Sequence, residues 1–233
     1  MKSRKLTPEL MDDPSLDEVT LKAALKDVTL VNKWLGGQQI TIDGLNYFFR
    51  KFPQDSYKIV DLGCGDGEML RTIASYARKQ NIKVELLGLD LNEKSINLAK
   101  EKSKDYPEIS FKKQDILTLD RTSFQCDIVV SVLTMHHFTN EEILVFMQQF
   151  LALSKLGVVI NDLQRSKIAH TLFKGFSKVF MKTHIARHDG LISIERAFKK
   201  NELLMFTNKL PVSSFQLKWR WAFRYLWILE KQK

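Results

Sequence analysis

Apolar residues recur at helical spacing over residues 17–35, through Val19, Leu21, Ala24, Leu25, Val28, Val31 and Leu35, which predicts one face of an amphipathic helix. Gly36-Gly37 ends it, as glycine often does after a last helical turn. A second amphipathic stretch, 45–52, stops at Pro53. From Tyr57 the rhythm changes. Short apolar runs at 57–62, 84–91, 109–113, 126–133 and 155–163 read as strands, and 68–80, 93–103 and 140–153 between them read as helices. Strands apolar on both faces and separated by helices predict a mainly parallel sheet covered on both sides. The tail departs from this, with Leu217, Trp219, Trp221, Phe223, Tyr225 and Trp227 at every second position. That is strand periodicity, and a bend near Ala222 makes it an antiparallel hairpin at the sheet edge. A mostly helical insert, 166–210, lies between the fifth strand and this hairpin.

Length and composition fit one globular domain of 233 residues, 44% hydrophobic and 27% charged. No apolar run is long enough for a membrane-spanning helix. The start, MKSRKLTPELMDDPSLDE, turns acidic where a signal peptide turns apolar. Cys64 and Cys126 are too few for a disulfide framework and lack metal-ligand spacing. A cytoplasmic setting is therefore expected. The net charge is +9, but residues 165–233 alone carry 15 Lys/Arg against 4 Asp/Glu, so the first 164 residues are slightly acidic. Such an excess suits a solvated basic face, nucleic acid, an anionic membrane surface or an acidic substrate.

The segment IVDLGCGDGEML, 59–70, runs a strand straight into Gly63-x-Gly65-x-Gly67 and then into a helix. Glycines there let the backbone approach a ligand, and the helix start points unpaired N–H groups at the cleft. A dinucleotide fingerprint needs its third glycine at 68, which is Glu68, and an acid about 20 residues onward; the acid here, Asp90, lies 27 past Gly63. A glutamate at the loop mouth suits a sulfonium better than a pyrophosphate. Asp90, ending the second strand, can accept from both ribose hydroxyls. Asp115 can accept from an adenine amino group, with Ile116 packed on the ring. Ser131, Val132 and Leu133 end the fourth strand, where the methionine portion would lie. Asp61, Cys64 and Leu91 complete the expected cofactor contacts.

These segments resemble the class I S-adenosylmethionine-dependent methyltransferases, with VDLGCGDGE as the glycine motif, GLDLN as the acidic motif, QDI as the adenine motif and DIVVSVLTMHHF as the strand after them. The resemblance implies a doubly wound, Rossmann-like α/β fold of seven strands, mostly parallel with a C-terminal antiparallel hairpin, plus helical lid segments. It implies S-adenosyl-L-methionine as the cofactor. ELMDDPSLD (9–17), VNKWLGG (31–37), INDLQRSKIAH (160–170), RHDGLISIERAF (187–198) and WRWAFRYLWIL (219–229) are similar to a bacterial subgroup associated with type III polyketide synthase clusters. That narrower likeness implies methylation of a small hydrophobic acceptor, a hydroxyl before a carbon, on a phenolic, polyketide or quinone-like compound. It divides one methyltransferase domain into an N-terminal helical lid (1–56), a cofactor-binding core (57–164), a helical acceptor lid (165–212) and the hairpin (213–233).

The sulfonium already activates the methyl group, so alignment and exclusion of water are the main tasks. If the acceptor is a phenol, a base helps, and His137 and His136 are the best placed, with an unperturbed pKa of ~6.5; one of the pair is expected to point into the core. Asn161 and Asp162 end the fifth strand, facing the cleft or capping the next segment. SVLTMHH offers no carboxylate at the end of the fourth strand, so no metal is expected. Arg187, beside His188 and Asp189, could hold a carboxylate or phenolate, unless the RHDG turn is structural. Trp34 covers the cofactor or acceptor, or simply packs. Leu172, Phe173, Phe176, Val179 and Phe180 share a helical face, read first as a core-facing lid and second as a docking face for anionic lipid. A basic tail also suits RNA or protein methylation, but no separate RNA-binding module and no Asn/Asp-Pro-Pro-aromatic tetrad is present, so nucleic acid is not the expected partner. A non-catalytic cofactor-binding protein is the remaining alternative. The sequence fixes no oligomeric state.

Overall fold

The computed structural model describes residues 1, 3–13, 15–119 and 125–232. Two helices open the chain, α1 (Glu18–Trp34) and α2 (Gly37–Lys51). β1 (Ser56–Leu62), β2 (Lys83–Asp90), β3 (Ile109–Lys113), β4 (Cys126–Val132) and β5 (Ser154–Leu163) then alternate with α3 (Glu68–Gln80), α4 (Glu93–Lys102) and α5 (Asn140–Leu153). Three helices follow, α6 (Lys167–Phe180), α7 (His184–Arg196) and α8 (Lys200–Thr207), before the hairpin of β6 (Val212–Arg220) and β7 (Arg224–Lys231). The sheet order is β3-β2-β1-β4-β5-β7-β6. Its first five strands are parallel, and β7 pairs antiparallel with both β5 and β6. This is the Rossmann-like methyltransferase fold, with the expected bend placed between Arg220 and Arg224.

Strand alternation divides the core into two layers. Ile59, Leu86, Val130 and Val159 pack with Phe48, Leu70 and Ile73 on the side of α2 and α3. Val60, Leu62, Val129 and Val158 pack with Phe146, Phe150 and Phe206 on the side of α5 and α8. The central strands β1, β4 and β5 are therefore buried on both faces, which is why the sequence shows apolar runs there and not alternation.

Three expectations need correction. α2 begins at Gly37, eight residues before the predicted stretch, because a left-handed Gly36 (φ 71°) breaks the chain for a single residue. Its N-cap has no side-chain acceptor, so the usual start signal is missing. The RHDG segment is not a turn but lies inside α7. The apolar alternation of the tail is also only partly burial, since Trp219 and Trp221 are 48% and 61% exposed.

Gly157 shows how closely the edge is built. Its φ is +154°, and an added Cβ would lie 2.0 Å from the Leu229 carbonyl oxygen. Backbone cannot yield as a side chain tip can. Gly157→Ala is expected to cost about 3 kcal/mol, lowering the thermal midpoint by roughly 6–12 °C. A melting curve matching that of the unaltered chain would show that β5 and β7 are not held this tightly.

Candidate active site

The strand order reverses beside β1, and ligands of open α/β sheets bind at the carboxyl ends of the strands there. A cleft of about 1020 Å³ opens at this point, at the upper end of the range for small-molecule sites. Asp61, Gly63, Cys64, Gly65, Glu68, Asp90, Leu91, Ile116, Val132, His136 and His137 all line it. Leu25, Val28, Leu172, Phe173, Phe176 and Ile194 supply an apolar wall from α1, α6 and α7.

The glycine loop turns sharply at Gly63 (φ +79°), where a Cβ would meet the Thr134 side chain at 2.4 Å. The backbone N–H groups of Gly63 and Cys64 both donate to the Leu89 carbonyl, at 2.8 and 3.1 Å, which locks the loop onto β2. Asp90 closes the arrangement. Its Oδ2 accepts from the Gly65 N–H at 2.8 Å and its Oδ1 from the Asn92 N–H at 2.9 Å. Each oxygen keeps a lone pair for a ligand hydroxyl. Burial raises the Asp90 pKa, and these two backbone donors oppose the shift. Glu68 pairs with Arg71 at 2.8 Å and accepts from Gln38 at 3.0 Å, so it is held at the loop mouth.

Asp61 is 1% exposed, lines the cleft, and has an Oδ1 with no hydrogen-bond partner. Burial, and secondarily the charge of Asp90, pushes its pKa up to about 7. An unpaired buried carboxylate is costly. A cation set against it removes that cost, and the ammonium and sulfonium of S-adenosylmethionine are such cations. The residues present therefore fit this cofactor. In the free protein the raised folded pKa means stability is full below the unfolded value near ~4 and falls as pH rises towards 7. An ammonium-bearing ligand selects the ionised form. Affinity for S-adenosylhomocysteine is accordingly expected to rise between pH 6 and 8, with proton release at the lower end. Asp61→Asn should weaken and flatten that dependence in calorimetry; an unchanged slope would assign it elsewhere.

The end of β4 carries the other polar group. The His136 ring is 2% exposed, and its Nδ1 lies 2.7 Å from Asp162 Oδ1. Its Nε2 lies 3.5 Å from Glu9 Oε1. Burial opposes charge on this ring, but Asp162 and Glu9 outweigh it and raise its pKa to about 9. His137 is more open. Its Nδ1 meets Asp12 at 3.2 Å and its Nε2 lies 3.8 Å from Glu9. The expectation that one ring points inward is met by His136. The carboxylate absent from SVLTMHH is supplied by Glu9, which with both imidazoles places three ligand-type atoms within 4.8 Å of one another.

Glu9 and Asp12 reach the histidines because the N-terminal segment is tied down. Asp189 accepts from the backbone N–H groups of Leu10 and Met11, both at 2.9 Å. Arg196 donates to the carbonyls of Thr7, His136 and His137. Ser193 donates to Glu9 at 2.8 Å. Two of the segments that carry the narrower resemblance, ELMDDPSLD and RHDGLISIERAF, are thus one contact; Pro14 lies outside the described residues.

Several expected residues sit elsewhere. Ser131 is fully buried and donates to the Leu62 carbonyl at 3.2 Å, tying β4 to β1. Asp115 is half-buried and does not line the cleft, although Ile116 does. Asn161 points away from Asp162, as adjacent strand residues must, and donates to the Gly37 carbonyl and Thr41 Oγ1 at 2.8 and 3.0 Å. Arg187 donates to the Thr183 carbonyl at 3.2 Å, away from the cleft. Trp34 is 55% exposed and packs edge-on against Phe180 outside it. Both cysteines are buried and free.

Fold and cleft together place an apolar compartment beside the glycine loop at the strand ends of an open α/β sheet. Residues 59–157 match a family model described as a methyltransferase domain. Magnesium protoporphyrin IX methyltransferase from Synechocystis PCC 6803, solved with bound S-adenosylhomocysteine, is similar at a TM-score of 0.60 and 17% identity over 87% of each chain. The plantazolicin methyltransferase BpumL, also with S-adenosylhomocysteine, is similar at a TM-score of 0.66 and 15% identity over 92% of this chain and 96% of that one. The CurJ carbon methyltransferase is similar at a TM-score of 0.68 and 13% identity over 94% of this chain and 62% of that one.

Proposed function

We propose that this chain is an S-adenosylmethionine-dependent methyltransferase acting, as one domain, on a small hydrophobic acceptor, with O-methylation of a phenolic, polyketide or quinone-like compound as the reaction. The observation that carries this is the single cleft in which the glycine loop and Asp90 meet an apolar compartment ending at the Asp162–His136 pair. When bound, S-adenosylmethionine supplies a methyl group already activated on its sulfonium.

The chain's own residues do the rest. Asp90 orients the ribose and Ile116 packs beside the adenine. Asp61 holds the cationic end of the methionine portion. The walls of α1, α6 and α7 exclude water, so the acceptor oxygen is held in line with the methyl group. We assign the proton acceptor to His136, in preference to His137. Asp162 fixes its ring through Nδ1, the arrangement of an oriented general base, and leaves Nε2, 3.5 Å from Glu9, as the proton-accepting nitrogen. The acceptor O–H proton passes to Nε2 as the oxygen takes the methyl group. Turnover of phenolic and polyketide acceptors to S-adenosylhomocysteine and a methyl ether tests the reading; methylation of RNA or protein alone would overturn it.

α6 suggests where a greasy acceptor is collected. Only Ala169 and Ser177 of its fourteen residues are buried, while Ile168, Leu172, Val179 and Phe180 are exposed. Lys167, Lys174 and Lys178 flank that stripe, also exposed. An apolar stripe edged by lysines suits an anionic bilayer surface. Among the described residues no helix is long and apolar enough to cross a membrane, so contact would be peripheral. Co-sedimentation with phosphatidylglycerol vesicles, weak with phosphatidylcholine and reduced in Val179→Glu, is the expected result. Equal recovery with either lipid would remove this role.

A further inference from the structure

Arg224 is a buried cation with no directly paired carboxylate among the described residues, and it lines the cleft. It opens β7, is 3% exposed, and its Nε and Nη1 have no hydrogen-bond partner. Other buried arginines are used differently. Arg71 meets Asp66, Glu68 and Ser103, Arg196 meets three carbonyls, and Arg165 meets Glu202. A guanidinium held out of water without such partners is unfavourable, and burial pulls its pKa down to about 10 against the charge of Asp162. Asp162 does not neutralise it directly. The Asp162 oxygens are taken by the His136 ring and by the backbone N–H groups of His136 and Leu163.

Apart from Asp162, the surroundings add positive character. The guanidinium lies against the first turn of α2, where a Cβ on Gly37 would come 3.0 Å from its Cζ. That helix start carries no side-chain cap, so its partial positive charge is not offset locally. A helix start beside an unpaired guanidinium favours an anion. On the same wall Asn32 lines the cleft, and its Oδ1 is buried without a partner, ready to accept from a ligand hydroxyl. Trp221 and Phe223 also line the cleft, so the charge is presented inside an apolar frame.

We propose that the cleft selects acceptors bearing an anionic oxygen apart from the hydroxyl that is methylated, a carboxylate or an acidic enol, and that Arg224 is its counter-ion. This deepens the methyltransferase reading and rests on it. The pairing takes the place that Arg187 was expected to fill. It holds one end of the acceptor by charge while the apolar wall accepts the remainder, and it places the charged oxygen on the β7 side of the cleft.

The test uses two fluorescent probes of the same apolar body, 1-anilinonaphthalene-8-sulfonate with its permanent anion and neutral N-phenyl-1-naphthylamine. Both are titrated into the full chain saturated with S-adenosylhomocysteine. The unaltered protein is expected to bind the anionic probe at least tenfold more tightly at one site. Arg224→Met should abolish that preference, leave the neutral probe within twofold, and melt no lower than the unaltered chain, because it removes an unpaired buried charge. Should that variant fail to bind S-adenosylhomocysteine, Arg224→Gln carries the same comparison. No preference in the unaltered protein, or equal loss of both probes in a folded variant, would overturn the proposal. Calorimetry with S-adenosylhomocysteine is read separately, so failure of the anion site is distinguishable from failure of the cofactor site.

Discussion

Asp162→Asn and His136→Ala are each expected to lower the rate of methyl transfer by about 10²–10⁴-fold, the range for loss of a positioned general base, while S-adenosylhomocysteine still binds. The two variants fail for different reasons. His136→Ala removes the base and leaves Asp162 and Glu9 facing each other across a gap, so its stability should fall as well. Asp162→Asn keeps the volume but removes the charge that orients the ring at 2.7 Å. It also lowers the imidazole pKa, which Asp162 and Glu9 hold at about 9 against burial. The sign of the pH dependence follows. A base that is protonated below about pH 9 accepts a proton only from its neutral fraction, so kcat/KM should climb about tenfold per unit up to that region and then level. In Asp162→Asn the rise should end at lower pH. A flat profile from pH 6 to 9 with an intact rate in either variant would show that the acceptor arrives already ionised and that His136 only positions.

Asp90→Ala has the largest expected effect on cofactor binding. The carboxylate takes backbone N–H groups from Gly65 and Asn92 and retains lone pairs for two ribose hydroxyls. Hydrogen bonds to a charged acceptor contribute about 1.5–3 kcal/mol each. Losing two, together with the brace on Gly65, corresponds to roughly a 100-fold or greater loss of affinity for S-adenosylhomocysteine. Retention of affinity within a few-fold would place the ribose elsewhere.

Much of the glycine-loop half of the cleft was legible because its geometry is written locally. A glycine loop between a strand and a helix, with an acid ending the next strand, needs few residues close in sequence. The sheet was legible for a related reason, since strands buried on both faces leave apolar runs. The polar half was not. Glu9 and Asp12 lie more than 120 residues before the histidines that they meet, and nothing local marks a pairing that α7 enforces through Asp189 and Arg196. Asn161 and Asp162 could have been separated on period two, because neighbours on a strand face opposite ways. Arg224 left one signal, a charge opening the buried run RYLWIL. The start of α2 was not legible because Gly36-Gly37 reads as the end of the first helix, whereas Gly36 alone carries the left-handed break and Gly37 already opens α2.

The most direct measurement of the central claim is calorimetric titration of the folded chain with S-adenosylhomocysteine. Micromolar, one-to-one binding that is lost in Asp90→Ala is the predicted result. No heat of binding from well-folded protein, at any pH between 6 and 8, would contradict the assignment of this cleft to that cofactor and leave the fold without the proposed activity.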